Sequence, residues 1–168
     1  APENTMAAVA MAVEEMADFA EVDVQESLDG YLVLCHDLSL KRVAGLNRKV
    51  GELTLEELME LDVGSWFSAE YAEERIPLLE QVMEFAKGKI NLNLELKNIG
   101  SHTDMPEKTA ALIKELEMEE QCVISSTSME YLRRVKEADP DIRTGYIIAA
   151  AYGNYYDNEN LDFISIRS

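Results

Sequence analysis

The chain has 168 residues, of which 47% are apolar and 29% are charged, and its formal net charge is −18 at pH 7. This length and apolar content predict one globular domain with its own hydrophobic core and exclude a disordered chain. The negative charge argues against nucleic acid or anionic lipid as a partner, and no apolar run reaches the roughly 18 residues of a membrane span.

Apolar periodicity and turn signals divide the chain into alternating helices and strands. The first part of the chain is predicted to contain a helix capped by Asn4 or Thr5, a strand at 19–24, an Asp29-Gly30 turn and a strand-like run at 31–37. Two helices follow, one from a Thr54–Glu57 capping box to Gly64 and one from Pro77 to Gly88. The rest alternates: a strand at 90–97, a helix at 106–117, a strand at 121–126, a helix opened by a Thr127–Glu130 capping box, a strand at 142–149, a Tyr- and Asn-rich loop and a strand at 162–166. Helical crossovers between strands predict a parallel sheet and an α/β fold. Cys35 and Cys122 lie in apolar runs, so we expect two buried free thiols, with a disulfide as the alternative.

The strand predicted at 90–97 alternates more regularly than the others. Its apolar and polar positions fall on opposite faces: Ile90, Leu92, Leu94 and Leu96 against Asn91, Asn93, Glu95 and Lys97. Amides low on the strand and charges at its carboxyl end are typical of a barrel interior with a site at its mouth. A solvated surface strand would alternate in the same way, so the pattern alone leaves both interpretations open.

Acidic side chains mark the ends of two predicted strands. Glu21 and Asp23 point to one side of the first strand because side chains alternate along a strand. Two such carboxylates repel each other, and burying them unpaired costs free energy. A hard divalent cation such as Mg²⁺ or Ca²⁺ takes oxygen ligands and would remove both costs, with Glu95 as a further ligand. A pair of solvated carboxylates would leave the same pattern.

Eight short motifs follow one another along the chain: Ala1-Pro2-Glu3-Asn4-Thr5, Glu21-Val22-Asp23-Val24, Asp29-Gly30, His36-Asp37, Leu40-Lys41-Arg42, Leu61-Asp62-Val63-Gly64-Ser65-Trp66-Phe67, Ile76-Pro77-Leu78-Leu79 and Glu95-Leu96-Lys97. In this order they resemble the glycerophosphodiester phosphodiesterase family. The resemblance is strong over residues 1–97 and continues as strand–helix rhythm, with Ser125-Ser126 and Asp162-Phe163 as weaker echoes. It implies an α/β fold of the TIM-barrel type, (β/α)8, incomplete in this chain, with a small insertion at about 38–76.

The resemblance also implies an activity and a site. The activity is that of a phosphoric diester hydrolase of lipid and glycerol metabolism, which cleaves a glycerophosphodiester to glycerol 3-phosphate and an alcohol. The implied cofactor is one divalent cation, Mg²⁺ or Ca²⁺, with three acidic ligands: Glu21, Asp23 and Glu95. One catalytic histidine corresponds to His36, a residue type suited to proton transfer near neutral pH. Lys97 corresponds to a phosphate contact, and Glu3 to a glutamate near the substrate.

Several of these residues have a simpler interpretation as well. A lone histidine such as His36 is often structural, and Lys97 could pair with Glu95 or Asp23 without touching a phosphate. We expect Arg42 to be a solvated surface residue and His102 to lie in a surface loop. The aromatic residues of the insertion could wall a substrate cleft, but we expect them to pack within the insertion: Trp66, Phe67 and Tyr71.

One family feature is not found in the chain. In the family, a His-Arg-Gly stretch precedes the Pro-Glu-Asn-Thr segment, and this sequence begins just after that point. We therefore expect the 168 residues alone to lack a catalytic histidine and a phosphate-binding arginine. The alternatives are a catalytically incompetent fragment, a non-catalytic metal- or phosphate-binding barrel domain, or a related lipid phosphodiesterase. Unpaired edges of a partial barrel would favour a homo-oligomer.

Overall fold

The computed structural model describes residues 1–100, 102–148 and 161–166. Six strands form one sheet: β1 (Phe19–Glu26), β2 (Leu32–Leu34), β3 (Asn91–Leu96), β4 (Cys122–Ser126), β5 (Arg143–Ile148) and β6 (Phe163–Ile166). Their order in the sheet is β2-β1-β3-β4-β5-β6. All neighbours are parallel except β2, which pairs antiparallel with β1 at one edge. Among the described residues the sheet does not close on itself, as predicted for five parallel strands and one hairpin strand.

In the described part of the chain, six α-helices accompany the strands: α1 (Met6–Glu14), α2 (Lys41–Ala44), α3 (Leu55–Met59), α4 (Leu79–Ala86), α5 (Met105–Glu115) and α6 (Met129–Ala138). Helices α5 and α6 connect β3 to β4 and β4 to β5, which are the crossovers predicted from the alternating pattern. The Tyr- and Asn-rich loop predicted before the last strand, and Ala149 at the end of the predicted fifth strand, lie outside the described residues.

The predicted N-terminal caps agree with the structure at α1 and α3 but not at α6. Thr5 caps α1, since its Oγ1 accepts from the Ala8 N–H at 3.2 Å, and Thr54 caps α3 in the predicted capping box. The second predicted box is wrong: Ser128 caps α6, and its Oγ accepts from the Tyr131 N–H at 3.3 Å. The buried Ser126 hydroxyl accepts from the Ser128 N–H, which extends the turn after β4 by one residue.

The two faces of the parallel sheet have opposite character. The face packed against the helices is apolar and almost fully buried: Val22, Val24, Leu92, Leu94, Leu96 and Ile124. Burial of one such side chain contributes about 1.5–3 kcal/mol, so this face holds the strands and helices together. The opposite face carries the polar residues Glu21, Asp23, Asn93, Glu95 and Lys97. The alternation of β3 is therefore that of a barrel-type strand with a polar interior.

Residues 38–76 form an excursion between β2 and α4 that has a core of its own. It contains α2, α3 and two 3-10 helices, Val50–Glu52 and Ala69–Tyr71. Strand β2 separates the two cores because Leu34 packs with the sheet while Val33 and Cys35 pack with the excursion. Cys35 and Cys122 are both buried and free, as expected, and burial raises the pKa of each thiol to about 12.

Gly64 has a different role from the one predicted. Helix α3 ends at Met59, so Gly64 does not terminate it. Instead the carbonyl group of Tyr71 lies against Gly64, where a Cβ atom would stand 1.7 Å from the Tyr71 oxygen. Glycine is required here because two backbone segments of the excursion touch.

The outer edge of β2 is partly covered by the chain that leads into α4. Val33 forms an antiparallel bridge with Leu78, and the Leu34 N–H donates to the Pro77 carbonyl at 3.1 Å. The edge therefore offers fewer free backbone groups than a bare barrel edge, and the homo-oligomer stays a prediction. Within the described residues, no helix has both the length and the apolar character needed to cross a membrane.

Candidate active site

Three carboxylates meet at the polar face of β1 and β3. The parallel register places Asp23 beside Glu95, while Glu21 lies two residues earlier on the same face of β1. One oxygen from each of the three side chains lies within 4.8 Å of the others. Asp23 and Glu95 are each only 5% exposed, whereas Glu21 is exposed. The structure thus brings together the three residues predicted as metal ligands, in an all-oxygen set suited to a hard cation.

Lys97 lies within this carboxylate cluster. Its Nζ donates to Glu95 Oε1 at 2.8 Å and to Asp23 Oδ1 at 3.1 Å. Burial opposes the charge on the ammonium group, but the hydrogen bond to Glu95 and the charge of Asp23 outweigh it and raise the pKa of Lys97. Lys97 therefore remains protonated and makes both of the pairings that the sequence suggested.

The cluster holds more negative charge than Lys97 alone neutralises. The pKa of Glu21 is raised to about 7, chiefly by desolvation, then by a hydrogen bond to Glu95 and by the negative charges of Asp23 and Glu95. A carboxyl group that resists ionisation beside two others indicates a site short of positive charge. A divalent cation fits both the donor atoms and this charge.

His36 follows β2 and is held in a short, anchored segment. The Gln25 amide, buried on β1, donates to the carbonyl groups of Cys35 and Asp37 at 2.7 and 2.8 Å, one on each side of His36. Nδ1 of His36 lies 2.7 Å from Asp37 Oδ1. The hydrogen bond from Arg42, together with that from His36, lowers the pKa of Asp37 to about 2 despite its partial burial. Asp37 is therefore an ionised partner for one nitrogen of the imidazole ring.

Arg42 links His36, through Asp37, to the start of the chain. Its Nε donates to Asp37 Oδ2 at 2.7 Å, and its other nitrogens form a two-bond ion pair with Glu3. The guanidinium also lies 5.2 Å from the ring centroid of Trp66. Arg42 is exposed at the surface, as expected, but it is also tied into a network of ion pairs with Asp37 and Glu3. Glu3 therefore has no direct bond to His36 but is connected to it through Arg42 and then Asp37.

The aromatic residues of the excursion pack on one another and yet remain partly exposed. Phe67 makes edge contacts with both Trp66 and Tyr71, at centroid distances of 5.9 and 5.8 Å. Trp66 and Phe67 keep 41% and 51% of their surface exposed. The expected packing is present, but Trp66 also reaches Arg42 beside the site.

An open cavity of about 780 Å³ lies at the surface between Lys97 and the segment that follows β2. Its lining consists of His36, Asp37, Leu38, Ser39, Lys41, Arg42 and Lys97. His36 and Lys97 therefore face one common space although they follow different strands. A second cavity of about 490 Å³ shares Leu38 with the first and includes His102, which is exposed as expected for a surface loop.

The sequence interpretation missed one residue that contacts the cluster. The sequence predicts Asn4 as a candidate helix cap, but in the structure its side chain forms two hydrogen bonds with Asp23. The sequence feature that points to another role for Asn4 is the Pro-Glu-Asn-Thr motif. Thr5 in that motif caps α1 by itself, so Asn4 is not needed as a cap.

Comparisons with known proteins agree on one family. The model of the Glycerophosphoryl diester phosphodiesterase family matches residues 1–168. The chain is 40% identical over 148 residues to a glycerophosphodiester phosphodiesterase of Caldanaerobacter subterraneus, with 87% of the chain and 61% of that protein covered. It is 35% identical over 168 residues to YhdW of Bacillus subtilis, with 100% of the chain and 69% of YhdW covered.

A solved structure supports the same assignment. A phosphodiesterase of Oleispira antarctica, in complex with the product sn-glycerol-3-phosphate, matches with a TM-score of 0.80 and 32% identity. The match covers 92% of the chain and 64% of that structure, so the chain spans about two thirds of the length of these relatives. The predicted TIM-barrel-like architecture is confirmed at this level. Because the family model extends over every residue, the chain belongs to the glycerophosphoryl diester phosphodiesterase family.

Proposed function

We propose that this chain carries a site for the hydrolysis of glycerophosphodiesters to glycerol 3-phosphate and an alcohol. The observation that carries the proposal is the convergence of three carboxylates and Lys97 beside a cavity that His36 also lines. The relatives named for this activity support it, as does the product bound in the structure from Oleispira antarctica. This activity belongs to glycerol and lipid metabolism.

The cofactor in this proposal is one divalent cation, Mg²⁺ or Ca²⁺, held by Glu21, Asp23 and Glu95. Their donor atoms are all carboxylate oxygens within 4.8 Å of one another, which fits a hard cation better than a soft one. When bound, such a cation neutralises phosphoryl oxygens and stabilises the charge that develops during hydrolysis. The raised pKa of Glu21 indicates that an added positive charge would relieve the repulsion in the cluster.

His36 is the proton-transfer residue of the proposal. Asp37 engages Nδ1, so Nε2 remains the nitrogen that can exchange a proton with a substrate oxygen. The Asp37 carboxylate also stabilises the positive imidazolium that forms when His36 takes up a proton. The side chain of His36 is 45% exposed and borders the open cavity, so a small diester can reach it.

Lys97 is the proposed phosphate contact. It is a protonated amine at the wall of the cavity, only 11% exposed, where a phosphoryl oxygen would meet a partly desolvated positive charge. The negative charge of Glu3 would repel a phosphate, so Glu3 is not a direct phosphate contact in this proposal. Its role near the substrate is to hold Arg42 against Asp37 through the ion pair between Glu3 and Arg42.

Binding and turnover measured together test this function. Calorimetric titration with sn-glycerol 3-phosphate, with and without Mg²⁺ or Ca²⁺, should show tight binding only in the presence of the cation. Asp23→Asn should weaken that binding by at least about tenfold, in keeping with the loss of one charged hydrogen-bond or metal partner. Glu56→Ala, which removes a first-turn carboxylate of α3, is the matched control.

An activity assay separates the remaining alternatives, and it is carried out on the catalytically active protein, which is the chain extended upstream by the His-Arg-Gly stretch of the family. Release of glycerol 3-phosphate from a glycerophosphodiester supports the proposal. Cation and product binding without any release would identify a non-catalytic binding domain. Cleavage of a lysophospholipid, with no cleavage of the deacylated diester, would identify a related lipid phosphodiesterase.

A further inference from the structure

The side chain of Asn4 is joined to Asp23 by two hydrogen bonds that span 19 positions of sequence. Asn4 Oδ1 accepts from the Asp23 backbone N–H at 2.8 Å, and Asn4 Nδ2 donates to Asp23 Oδ2 at 2.7 Å. One planar amide therefore contacts both the main chain and the carboxylate of the same residue. This arrangement fixes the position of Asp23 and the rotation of its carboxylate together.

The two carboxylate oxygens of Asp23 have different partners as a result. Oδ2 is engaged by Asn4, whereas Oδ1 contacts the Lys97 ammonium at 3.1 Å inside the carboxylate cluster. Asp23 is only 5% exposed, so little water competes for either oxygen. Rotating the carboxylate would break the bond to Asn4, and Oδ1 is therefore kept on the side of the cluster.

The backbone of Asn4 is also held in an uncommon conformation. Its φ angle is +55°, in the left-handed region that asparagine tolerates better than most residues with a side chain. Capping of α1 does not explain this conformation, because the cap is the hydroxyl of Thr5 and not the side chain of Asn4. The same hydroxyl donates to the Pro2 carbonyl at 2.7 Å. Strained backbone of this kind is commonly retained where it serves a site.

We propose that Asn4 is a positioning residue of the cation site, which presents Oδ1 of Asp23 to the bound ion. Ligand-orienting partners of this kind typically change metal affinity by about 10–100-fold when they are removed. The inference rests on the proposed function insofar as that function makes Asp23 a cation ligand. It adds a residue that does not itself touch the ion.

Asn4→Gly is the direct test because glycine accepts a φ of +55° without strain and removes only the amide. Calorimetric titration with Mg²⁺ alone and with Ca²⁺ alone should give a dissociation constant about 10–100-fold higher than that of the unmodified chain. The melting temperature in the absence of cation should fall as well, since the buried Asp23 N–H loses its partner, so the change in affinity is compared with that of a variant that is destabilised without losing this contact.

Thr5→Ala is the matched control at the neighbouring position. It removes the cap of α1 and the bond to Pro2, so it should lower the melting temperature and leave the cation affinity unchanged. If the affinity instead follows the melting temperature in both variants, or if Asn4→Gly binds as tightly as the unmodified chain, Asn4 is only structural and the inference is overturned. If the unmodified chain binds neither ion, the proposed cation site fails and this inference fails with it.

Discussion

Nδ1 of His36 lies 2.7 Å from Oδ1 of Asp37, so the residue next in sequence fixes the orientation of the imidazole ring. The same carboxylate accepts from Arg42 through its other oxygen at 2.7 Å, which keeps it from turning away. A histidine held in this way has one nitrogen committed to the protein and one available to a substrate.

His36→Ala should therefore remove proton transfer while leaving the cation site intact. In the catalytically active protein we expect kcat to fall by about 10²–10⁴-fold, with no change in the cation-induced rise of the melting temperature. Steady-state kinetics and thermal melts measure the two effects separately. His102→Ala, in the exposed loop, is the control and should retain full activity; near-normal turnover of His36→Ala would return His36 to a structural role.

Asp37→Asn should reveal a stability contribution that depends on acid pH. The folded-state pKa of Asp37 is about 2, below the ordinary value of 3.8, because Arg42 and His36 bond to the ionised form. The contribution is thus complete above about pH 4 and disappears as the pH falls towards 2. Since the Asp37 side chain is 31% exposed, we expect no more than about 1 kcal/mol. Denaturation of both proteins between pH 2 and about 6 measures this; a difference that stays constant down to pH 2 would contradict it.

The three carboxylates should act as one cation site. After treatment with a chelator, addition of Mg²⁺ or Ca²⁺ should raise the melting temperature, since a ligand present at 100 times its Kd stabilises by about 2.7 kcal/mol. Glu21→Ala, Asp23→Ala and Glu95→Ala should each abolish that rise. Differential scanning fluorimetry is sufficient for the measurement. A response that survives all three substitutions would locate the cation elsewhere.

Lys97→Met should destabilise the protein much more in the absence of cation than in its presence. Removing the ammonium leaves Asp23 and Glu95 without their shared positive partner in a largely buried setting, which costs about 3–5 kcal/mol for one broken buried pair. A bound cation should restore much of this stability, while affinity for glycerol 3-phosphate should remain weaker than in the unmodified chain. Denaturant titrations with and without cation would measure the two losses of stability. Equal losses under both conditions would mean that Lys97 only fills space.

Gly64→Ala should destabilise the excursion through direct overlap of two backbone segments. A Cβ atom at this position would lie 1.7 Å from the Tyr71 carbonyl oxygen, so the chain must shift, at a cost of about 1–3 kcal/mol or more. Gly51→Ala is the control, because its Cβ would meet only the Glu26 carbonyl oxygen at 3.5 Å. Comparable melting temperatures for the two variants would contradict this role of Gly64.

The cluster could be predicted from the sequence because it depends on local rules. Alternation places Glu21 and Asp23 on one face of β1, and it places Glu95 and Lys97 on one face of β3. Parallel neighbours then bring the carboxyl ends of the two strands to the same edge. The family resemblance supplied what these rules could not, namely that Glu21, Asp23 and Glu95 belong to one set of ligands, and the structure shows why, since β1 and β3 are neighbours in the sheet.

The supporting contacts could not be predicted in the same way. The bonds from Asn4 to Asp23 and from Arg42 to Glu3 join residues 19 and 39 positions apart, and no periodicity encodes them. The sequence pattern predicts Gly64 as a helix terminator, because the contact of Gly64 with Tyr71 leaves no local signature. The cap at Ser128 was misplaced by one residue because Thr127 and Ser128 have equivalent chemistry, and only the hydrogen bond from Ser128 to Ser126 distinguishes them.

Because the two faces of the sheet differ, substitutions on the apolar face and substitutions on the polar face should have different consequences. At the centre of β1 and β3, the even-numbered residues Val22, Val24, Leu92 and Leu94 are buried in the apolar core, whereas the odd-numbered residues Asp23 and Glu95 meet at the cluster. Substitutions at even positions decide whether the chain folds. Substitutions at Asp23 or Glu95 act instead on the charge balance of the cluster and leave the apolar contacts between strands and helices in place.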